Sequence, residues 1–223
     1  RYESVETDRA VALLTRGEAK VRKPLHKLCE EEVGRLLDAR VGVGEARRER
    51  NSILLDVLYS AALRPKEGLF LQVGDWDAQR RVLFLRRAKS GEPEVAMVAK
   101  KTAERIGEYL EKVRPRLCGS SGPWLFTNRD GNRMRNHALE RIMTLTARAA
   151  KIPRRLTAYD LRHASATHML EAGASVAQIQ RFLRHRTIHS TMFYTRVTRN
   201  RLIESHRRFH PAARRSRRDA ARP

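Results

Sequence analysis

Residues 159–197 read YDLRHASATHMLEAGASVAQIQRFLRHRTIHSTMFYTRV, and this stretch decides the fold. Its apolar residues recur with helical spacing and predict one helix over residues 159–172 and a second over residues 176–183. Gly173 follows the first helix, in a position where helices commonly end. The sequence therefore predicts two consecutive helices joined by a short turn.

Polar side chains stand at defined spacings within the same stretch. Arg162 precedes His185 by 23 positions, and His185 precedes Tyr194 by nine. Tyr159 lies three positions before Arg162, so the two share one face of a helix. An arginine fork can bind a phosphate, and a tyrosine oxygen can act as a nucleophile when nearby cations favour its ionised form. We interpret these residues as candidates for phosphate chemistry.

Arg64 lies at a predicted corner between two helices. Apolar spacing predicts a helix over residues 49–63, which ends there because the residue before Pro65 is disfavoured in the helical region. Pro65 can then begin a short helix through residue 71. The side chain of Arg64 is therefore free to point towards a site, and Glu67 follows three residues later.

A β-hairpin is predicted further along the chain, with strands over residues 81–87 and 94–98. The turn between them, residues 88–92, contains Lys89. Further helices are predicted over residues 29–40, 101–113 and 136–150, and the segment 115–123, rich in Gly, Ser and Pro, is predicted to be a loop.

Positive charge is concentrated in the second half of the chain. The 223 residues carry 47 Lys and Arg against 25 Asp and Glu, a net charge of +22. Residues 1–111 contribute +3 and residues 112–223 contribute +19. Such a field favours a polyanion as partner and makes binding salt-dependent. Charge alone does not distinguish DNA, RNA and an anionic membrane surface as partners. The alternative explanation of the charge is a surface that is rich in Arg because of codon bias.

Composition excludes several classes of protein. The longest apolar stretch, residues 53–63, is interrupted by Asp56 and is too short for a membrane span. Nothing at the start of the given sequence resembles the charged, apolar and small-residue pattern of a secretion signal. Two cysteines make neither a disulfide framework nor a zinc set, and His185 and His189 have metal-ligand spacing but no evident third ligand. The sequence predicts no metal and no cofactor.

Three segments in chain order together resemble the catalytic domain of the tyrosine recombinases, the phage integrase family. These are ALRPKEGLFLQVGDWD around Arg64, RRVLFLRRAKSGEPEVAMV around Lys89, and residues 159–197. The resemblance covers about residues 24–211. It implies an α+β fold, mainly helical with a small antiparallel β-sheet. We expect residues 1–23 to be a linker or the remnant of a missing N-terminal DNA-binding domain, and residues 212–223 to be a basic tail.

The resemblance and the chemistry of the residues assign the same roles. Arg64 and Arg162 would bind the phosphate, and Tyr194 would attack it. Lys89 would protonate the leaving sugar oxygen, and His185 would donate a hydrogen bond to the phosphate. Tyr159 could add a hydroxyl contact or assist the proton transfer, and Glu67 could orient Arg64 or a neighbour.

The chain departs from the family pattern at two positions. Tyr159 replaces the His most frequent there, so simple packing of its ring is the alternative role. Arg184 replaces the Gly usual before the third catalytic residue. Because Gly permits a backbone angle that other residues avoid, this change puts the local geometry of His185 in doubt.

The resemblance implies a site-specific DNA recombinase that acts on double-stranded DNA as a homo-tetramer, through a 3′-phosphotyrosyl intermediate and a Holliday junction. It also implies a cytoplasmic, nucleoid-associated protein of prokaryotic or phage type with no membrane partner. Three alternatives stay open at this point: a type IB topoisomerase-like nicking-closing enzyme, a catalytically inactive DNA-binding relative, and a basic RNA-binding protein.

Overall fold

A computed structural model describes residues 28–86, 94–118 and 122–184. Lys89, His185 and Tyr194 lie outside the described residues, as do both terminal segments. The helices are α1 (Glu30–Asp38), α2 (Glu45–Ser60), α3 (Pro65–Phe70), α4 (Lys100–Glu108), α5 (Arg114–Cys118), α6 (Asn136–Ala149), α7 (Ala158–Glu171) and α8 (Val176–Phe182), and the strands are β1 (Trp76–Asp77), β2 (Val82–Leu85) and β3 (Glu94–Met97). The predicted fold class, mainly helical with a small antiparallel sheet, is confirmed.

Helix α2 lies at the centre of the core and packs against α1, α4 and α7. Its residues Ile53, Leu54, Val57 and Leu58 are each at most 2% exposed. Burial of such side chains is the main favourable contribution to folding. The helix begins four residues earlier than predicted and ends at Ser60, because Ala62 adopts a left-handed backbone angle, with φ of +44°.

The sheet has the order β1-β2-β3, with both pairs antiparallel. Leu83 pairs with Ala96 and both face the core, as the two-residue period of a strand requires. Strand β1 was not predicted, because a two-residue strand is too short to show an alternating pattern. It is held to the sheet by pairing of Trp76 with Leu83.

The prediction of a loop over residues 115–123 is wrong for its first part. The chain passes from α4 through a π-helical turn, Tyr109–Val113, directly into α5, which continues to Cys118. Pro115 lies within this continuous helical run, where its missing N–H removes one helical hydrogen bond, and the π-helical turn lies just before it. The turn is anchored because Tyr109 donates its hydroxyl to the carbonyl of Leu125 at 2.9 Å.

Helix α3 approaches α2 closely at Gly68. A Cβ at this position would lie 2.7 Å from Cδ2 of Leu58, so only glycine fits without a shift of the buried Leu58 side chain. This close packing fixes the corner that carries Arg64 and Glu67. Within the three described ranges, every helix is too short or too polar to cross a membrane.

Candidate active site

Arg64 has an extended backbone, with φ of −69° and ψ of 149°, and immediately precedes the first residue of α3. Its backbone N–H donates to Oε2 of Glu67 at 2.7 Å, and its Nη1 donates to Oε1 of the same carboxylate at 2.5 Å. Glu67 therefore caps the helix and holds the Arg64 side chain at the same time. The corner predicted from Pro65 is present.

Arg162 lies inside the protein on α7, where it is 4% exposed. Its Nη1 donates to the carbonyl of Ala62, and its Nη2 donates to the carbonyl of Leu183, each at 2.5 Å. Its Nη1 also lies 3.9 Å from Oε2 of Glu67. One guanidinium thus joins the ends of α2 and α8, which brings Arg162 beside the Arg64 corner although the two residues are 98 positions apart in the sequence.

Arg184 belongs to the same cluster, and sequence reasoning did not include it among the site residues. Its backbone takes a left-handed angle, φ of +54°, which is the kind of conformation that glycine would permit. Its side chain is 6% exposed, and Nη2 donates to Oε2 of Glu67 at 3.2 Å. The departure from the family pattern was the only sequence signal that marked this residue.

Glu67 is therefore surrounded by three guanidiniums, those of Arg64, Arg162 and Arg184. Burial alone would raise the pKa of the Glu67 carboxyl. The hydrogen bond from the Arg64 backbone, together with the charges of Arg184 and Arg64, outweighs burial and holds the pKa below its ordinary value. The carboxyl is consequently ionised at neutral pH.

An open pocket of about 760 Å³ lies against this cluster. Arg64, Glu67 and Tyr159 line it, and its remaining charged wall is largely basic, formed by Lys66, Arg86, Arg133, Arg135 and Asp75. The Tyr159 side chain is 51% exposed at the pocket, so its ring is not packed in the core. The pocket has the size and charge to receive one strand of a polyanion.

Aromatic side chains form part of the pocket wall. The guanidinium carbon of Arg133 lies 3.9 Å from the centroid of the Phe70 ring and 6.0 Å from that of Trp124. Phe70 and Trp124 meet edge to face at 6.2 Å. Trp124 belongs to this wall, whereas Trp76 is partly buried against the core.

The structure thus brings together Arg64, Glu67 and Arg162, with Tyr159 at the edge of the same pocket. The other three predicted site residues, Lys89, His185 and Tyr194, are outside the described ranges. Two of them adjoin described residues of the cluster. Arg184 immediately precedes His185, and Glu94, whose Oε2 lies 3.5 Å from Nε of Arg184, begins the strand after the segment that contains Lys89.

The chain is similar in sequence to known proteins. A family model described as the phage integrase family matches residues 26–201. Tyrosine recombinase XerC of Pelotomaculum thermopropionicum is 30% identical over 207 residues, which cover 90% of this chain and 67% of the relative.

Solved structures have the same fold. XerA recombinase aligns with a TM-score of 0.70 and 25% identity, over 83% of this chain and 65% of the other. XerH site-specific recombinase, solved in a post-cleavage complex with its palindromic difH substrate, aligns with a TM-score of 0.68 and 21% identity, over 81% of this chain and 52% of the other. The chain therefore spans between about half and two thirds of the length of these proteins.

Proposed function

The chain belongs to the phage integrase family of tyrosine recombinases, and from this premise we propose that it is a site-specific DNA recombinase whose nucleophile is Tyr194. The observation that carries the proposal is the convergence of Arg64 and Arg162 on one carboxylate, Glu67, at the wall of a basic pocket. Arg64 lines this open, largely basic pocket and the buried Arg162 approaches the same carboxylate, an arrangement that suits a phosphodiester of DNA.

The two arginines would stabilise the charge that develops on the phosphate. Attack at phosphorus increases the negative charge on the oxygens that do not leave, and preorganised donors lower the barrier because they need no rearrangement. Arg162 is preorganised by two main-chain carbonyls, and Arg64 by Glu67. Removal of one such donor typically costs about 10²–10³ in rate.

Tyr194 would supply the oxygen that attacks phosphorus. The phenol loses its proton to water, the resulting phenolate oxygen forms a bond to phosphorus, and the bond between phosphorus and the 5′ oxygen of the next sugar breaks. The leaving oxygen takes a proton from Lys89, while His185 donates a hydrogen bond to the phosphate and Tyr159 contributes a hydroxyl at the pocket edge. The products are a 3′-phosphotyrosyl bond and a free 5′-hydroxyl.

Strand exchange would follow because the bond energy is conserved. The free 5′-hydroxyl of one DNA attacks the phosphotyrosyl bond of its partner, which releases Tyr194 and passes through a Holliday junction. One phosphodiester-level bond replaces another, so the reaction needs neither ATP nor a cofactor. In this proposal four protomers act on two double-stranded DNA sites, and residues 24–211 form the catalytic domain of each protomer. The reaction would take place in the cytoplasm, at the nucleoid.

DNA as the partner is supported by charge and by the fold relative. The pocket contributes several basic side chains, and XerH has been solved on its DNA substrate with the same fold. Residues 1–23 would be a linker or the remnant of an N-terminal DNA-binding domain, and residues 212–223 a basic tail, in this proposal. Contacts to DNA phosphates are the same for every base sequence. The target sequence therefore has to be recognised through contacts to the bases or through the shape of the DNA.

A nicked DNA site tests the chemistry, because the short fragment that carries the new 5′-hydroxyl diffuses away after cleavage and cannot be rejoined. The protein is expected to accumulate a covalent species that migrates slowly on a denaturing gel, and Tyr194→Phe is expected to abolish it while DNA binding is retained. A plasmid with two sites then separates strand exchange from nicking and closing. Recombinant products support a recombinase, whereas relaxed plasmid alone favours a topoisomerase-like enzyme, and the absence of any adduct favours an inactive DNA-binding relative.

A further inference from the structure

Both Nη atoms of Arg184 donate to acceptors of the protein itself. Its Nη1 donates to the carbonyls of Phe182 at 3.0 Å and Ala61 at 3.2 Å, and its Nη2 donates to the carbonyl of Ala62 and to Oε2 of Glu67, both at 3.2 Å. With 6% of the side chain exposed, this guanidinium is directed into the protein rather than into the pocket. Each Nη atom of Arg184 thus already has two acceptors within the protein, so Arg184 acts on other residues rather than on a substrate.

The remaining nitrogen of the Arg184 guanidinium, Nε, faces a second carboxylate. Its Nε lies 3.5 Å from Oε2 of Glu94, and neither atom has a hydrogen-bond partner among the described residues. The Glu94 side chain is 19% exposed, so its charge is only partly screened by water. Arg184 is the described cation that lies between Glu67 and Glu94.

Charge balance in the cluster depends on this residue. Arg64 and Arg162 carry two positive charges, and Glu67 and Glu94 carry two negative ones, so these four side chains sum to zero. Arg184 makes the sum positive. A glycine at this position would leave both carboxylates to oppose the two arginines that are proposed to bind the phosphate.

Arg184 also competes with Arg162 for Oε2 of Glu67, while the Arg64 side chain holds Oε1 of the same carboxylate. Oε2 of Glu67 is 3.2 Å from Nη2 of Arg184 but 3.9 Å from Nη1 of Arg162. If Arg184 did not occupy it, this oxygen would be free to pair with Arg162 and weaken that residue's attraction for a phosphate. The backbone of Arg184 is strained by its positive φ, and the contacts of its side chain offset that strain.

We propose that Arg184 is a positioning residue of the catalytic cluster, which holds Glu67 away from Arg162 and neutralises Glu94 so that the phosphate-binding arginines keep their net positive charge. This inference rests on the proposed function. It predicts that the charge of Arg184 affects the cleavage step rather than DNA affinity.

The test compares substitutions that separate charge from backbone conformation. Arg184→Met retains a β-carbon and the strained φ but removes the charge, Arg184→Lys retains the charge, and Arg184→Gly relieves the strain. With the nicked DNA site, Arg184→Met is expected to lower the cleavage rate about tenfold or more while the affinity for DNA changes by less than about threefold. Arg184→Lys is expected to recover a substantial part of the rate.

A compensating substitution distinguishes an electrostatic role from a structural one. Glu94→Gln removes the charge that Arg184 neutralises, so the double variant Arg184→Met/Glu94→Gln is expected to cleave several-fold faster than Arg184→Met alone. A structural role would give no rescue. Cleavage by Arg184→Met at the wild-type rate, or the absence of rescue, would overturn the proposal.

A second measurement does not depend on DNA chemistry. The pKa of the Glu67 carboxyl, followed by NMR, is expected to rise in Arg184→Met or, if that variant does not fold, in Arg184→Gly. An unchanged pKa would overturn the proposal even when the wild-type protein cleaves DNA. Conversely, a wild-type protein that forms no covalent adduct contradicts the proposed function, while a raised Glu67 pKa would still support the electrostatic coupling of Arg184 to Glu67.

Discussion

Arg162 and Arg184 donate to the same main-chain oxygen, that of Ala62, at 2.5 and 3.2 Å. This carbonyl is available because the left-handed backbone of Ala62 ends α2 and turns its last carbonyls away from the helix. Two buried guanidiniums so close together repel each other unless an anion lies between them. Glu67 provides that anion, and the stability of the cluster depends on it.

Substitution of Glu67 by Gln is expected to destabilise the protein. The carboxylate is 6% exposed and contacts three guanidiniums, so its loss leaves buried positive charges without a counterion and costs about 2–4 kcal/mol in the free energy of unfolding. The measurement is urea unfolding at neutral pH. Glu45→Gln is the matched control, because its ion pair with Arg116 is exposed and contributes less than about 1 kcal/mol. Equal effects of the two substitutions would contradict this account of Glu67.

The contribution of Glu67 is expected to depend on pH in a defined direction. Its folded-state pKa lies below the ordinary value of 4.5, so its ionised form stabilises the fold above that value, and this stabilisation is lost as the pH falls through the lowered pKa. The difference in unfolding free energy between wild type and Glu67→Gln should be constant near neutrality and shrink below about pH 4.5. A difference that grows on acidification would contradict the lowered pKa.

Gly68→Ala is expected to disturb the corner that carries Arg64. The new Cβ would lie 2.7 Å from Cδ2 of Leu58, and overpacking of this kind costs about 1–3 kcal/mol. The measurements are the midpoint temperature of thermal unfolding and the rate of adduct formation, and both are expected to be lower than in the wild type. Gly34→Ala in α1 is the control, since no atom lies within 4 Å of its added Cβ and a helical Gly to Ala change stabilises by up to about 1 kcal/mol. Similar destabilisation by both substitutions would show that the close packing at Gly68 is not the cause.

Arg133→Gln is expected to weaken binding to all DNA sequences by about the same factor. Arg133 lines the pocket and stacks on Phe70, where it can meet a phosphate. Loss of one phosphate contact should reduce the slope of log affinity against log salt by about 1. The control is Arg116→Gln, because Arg116 is exposed, pairs with Glu45 and does not line the pocket. An unchanged slope for Arg133→Gln would place the DNA elsewhere.

The helical part of the fold could be predicted from local patterns. The spacing of apolar residues located α6 and α7 to within one residue, and Pro65 marked the start of α3, because these signals depend on neighbours in sequence. The π-helical turn Tyr109–Val113 and the two-residue strand β1 were missed. The π-helical turn is held by the bond from Tyr109 to Leu125, 16 residues along the chain, and β1 by the pairing of Trp76 with Leu83, and the spacing of apolar residues records neither contact.

The candidate site was only partly accessible from the sequence. The motif pointed to Arg64, Glu67 and Arg162, and the fold brings these three together. Arg184 was noticed as a departure that puts the geometry of His185 in doubt. Its inclusion in the cluster could not be foreseen, because it depends on the carbonyls at the end of α2, more than 120 residues away. A long side chain at a left-handed position shows its partners only in three dimensions.

The central claim is tested most directly by mapping the covalent bond between protein and DNA. The adduct formed on a nicked DNA site can be digested with protease and nuclease, and the modified peptide identified by mass spectrometry. We predict a single nucleotide-linked residue, Tyr194, joined through its phenol oxygen to a 3′ phosphate. A linkage at any other residue, or through a 5′ phosphate, would contradict the account.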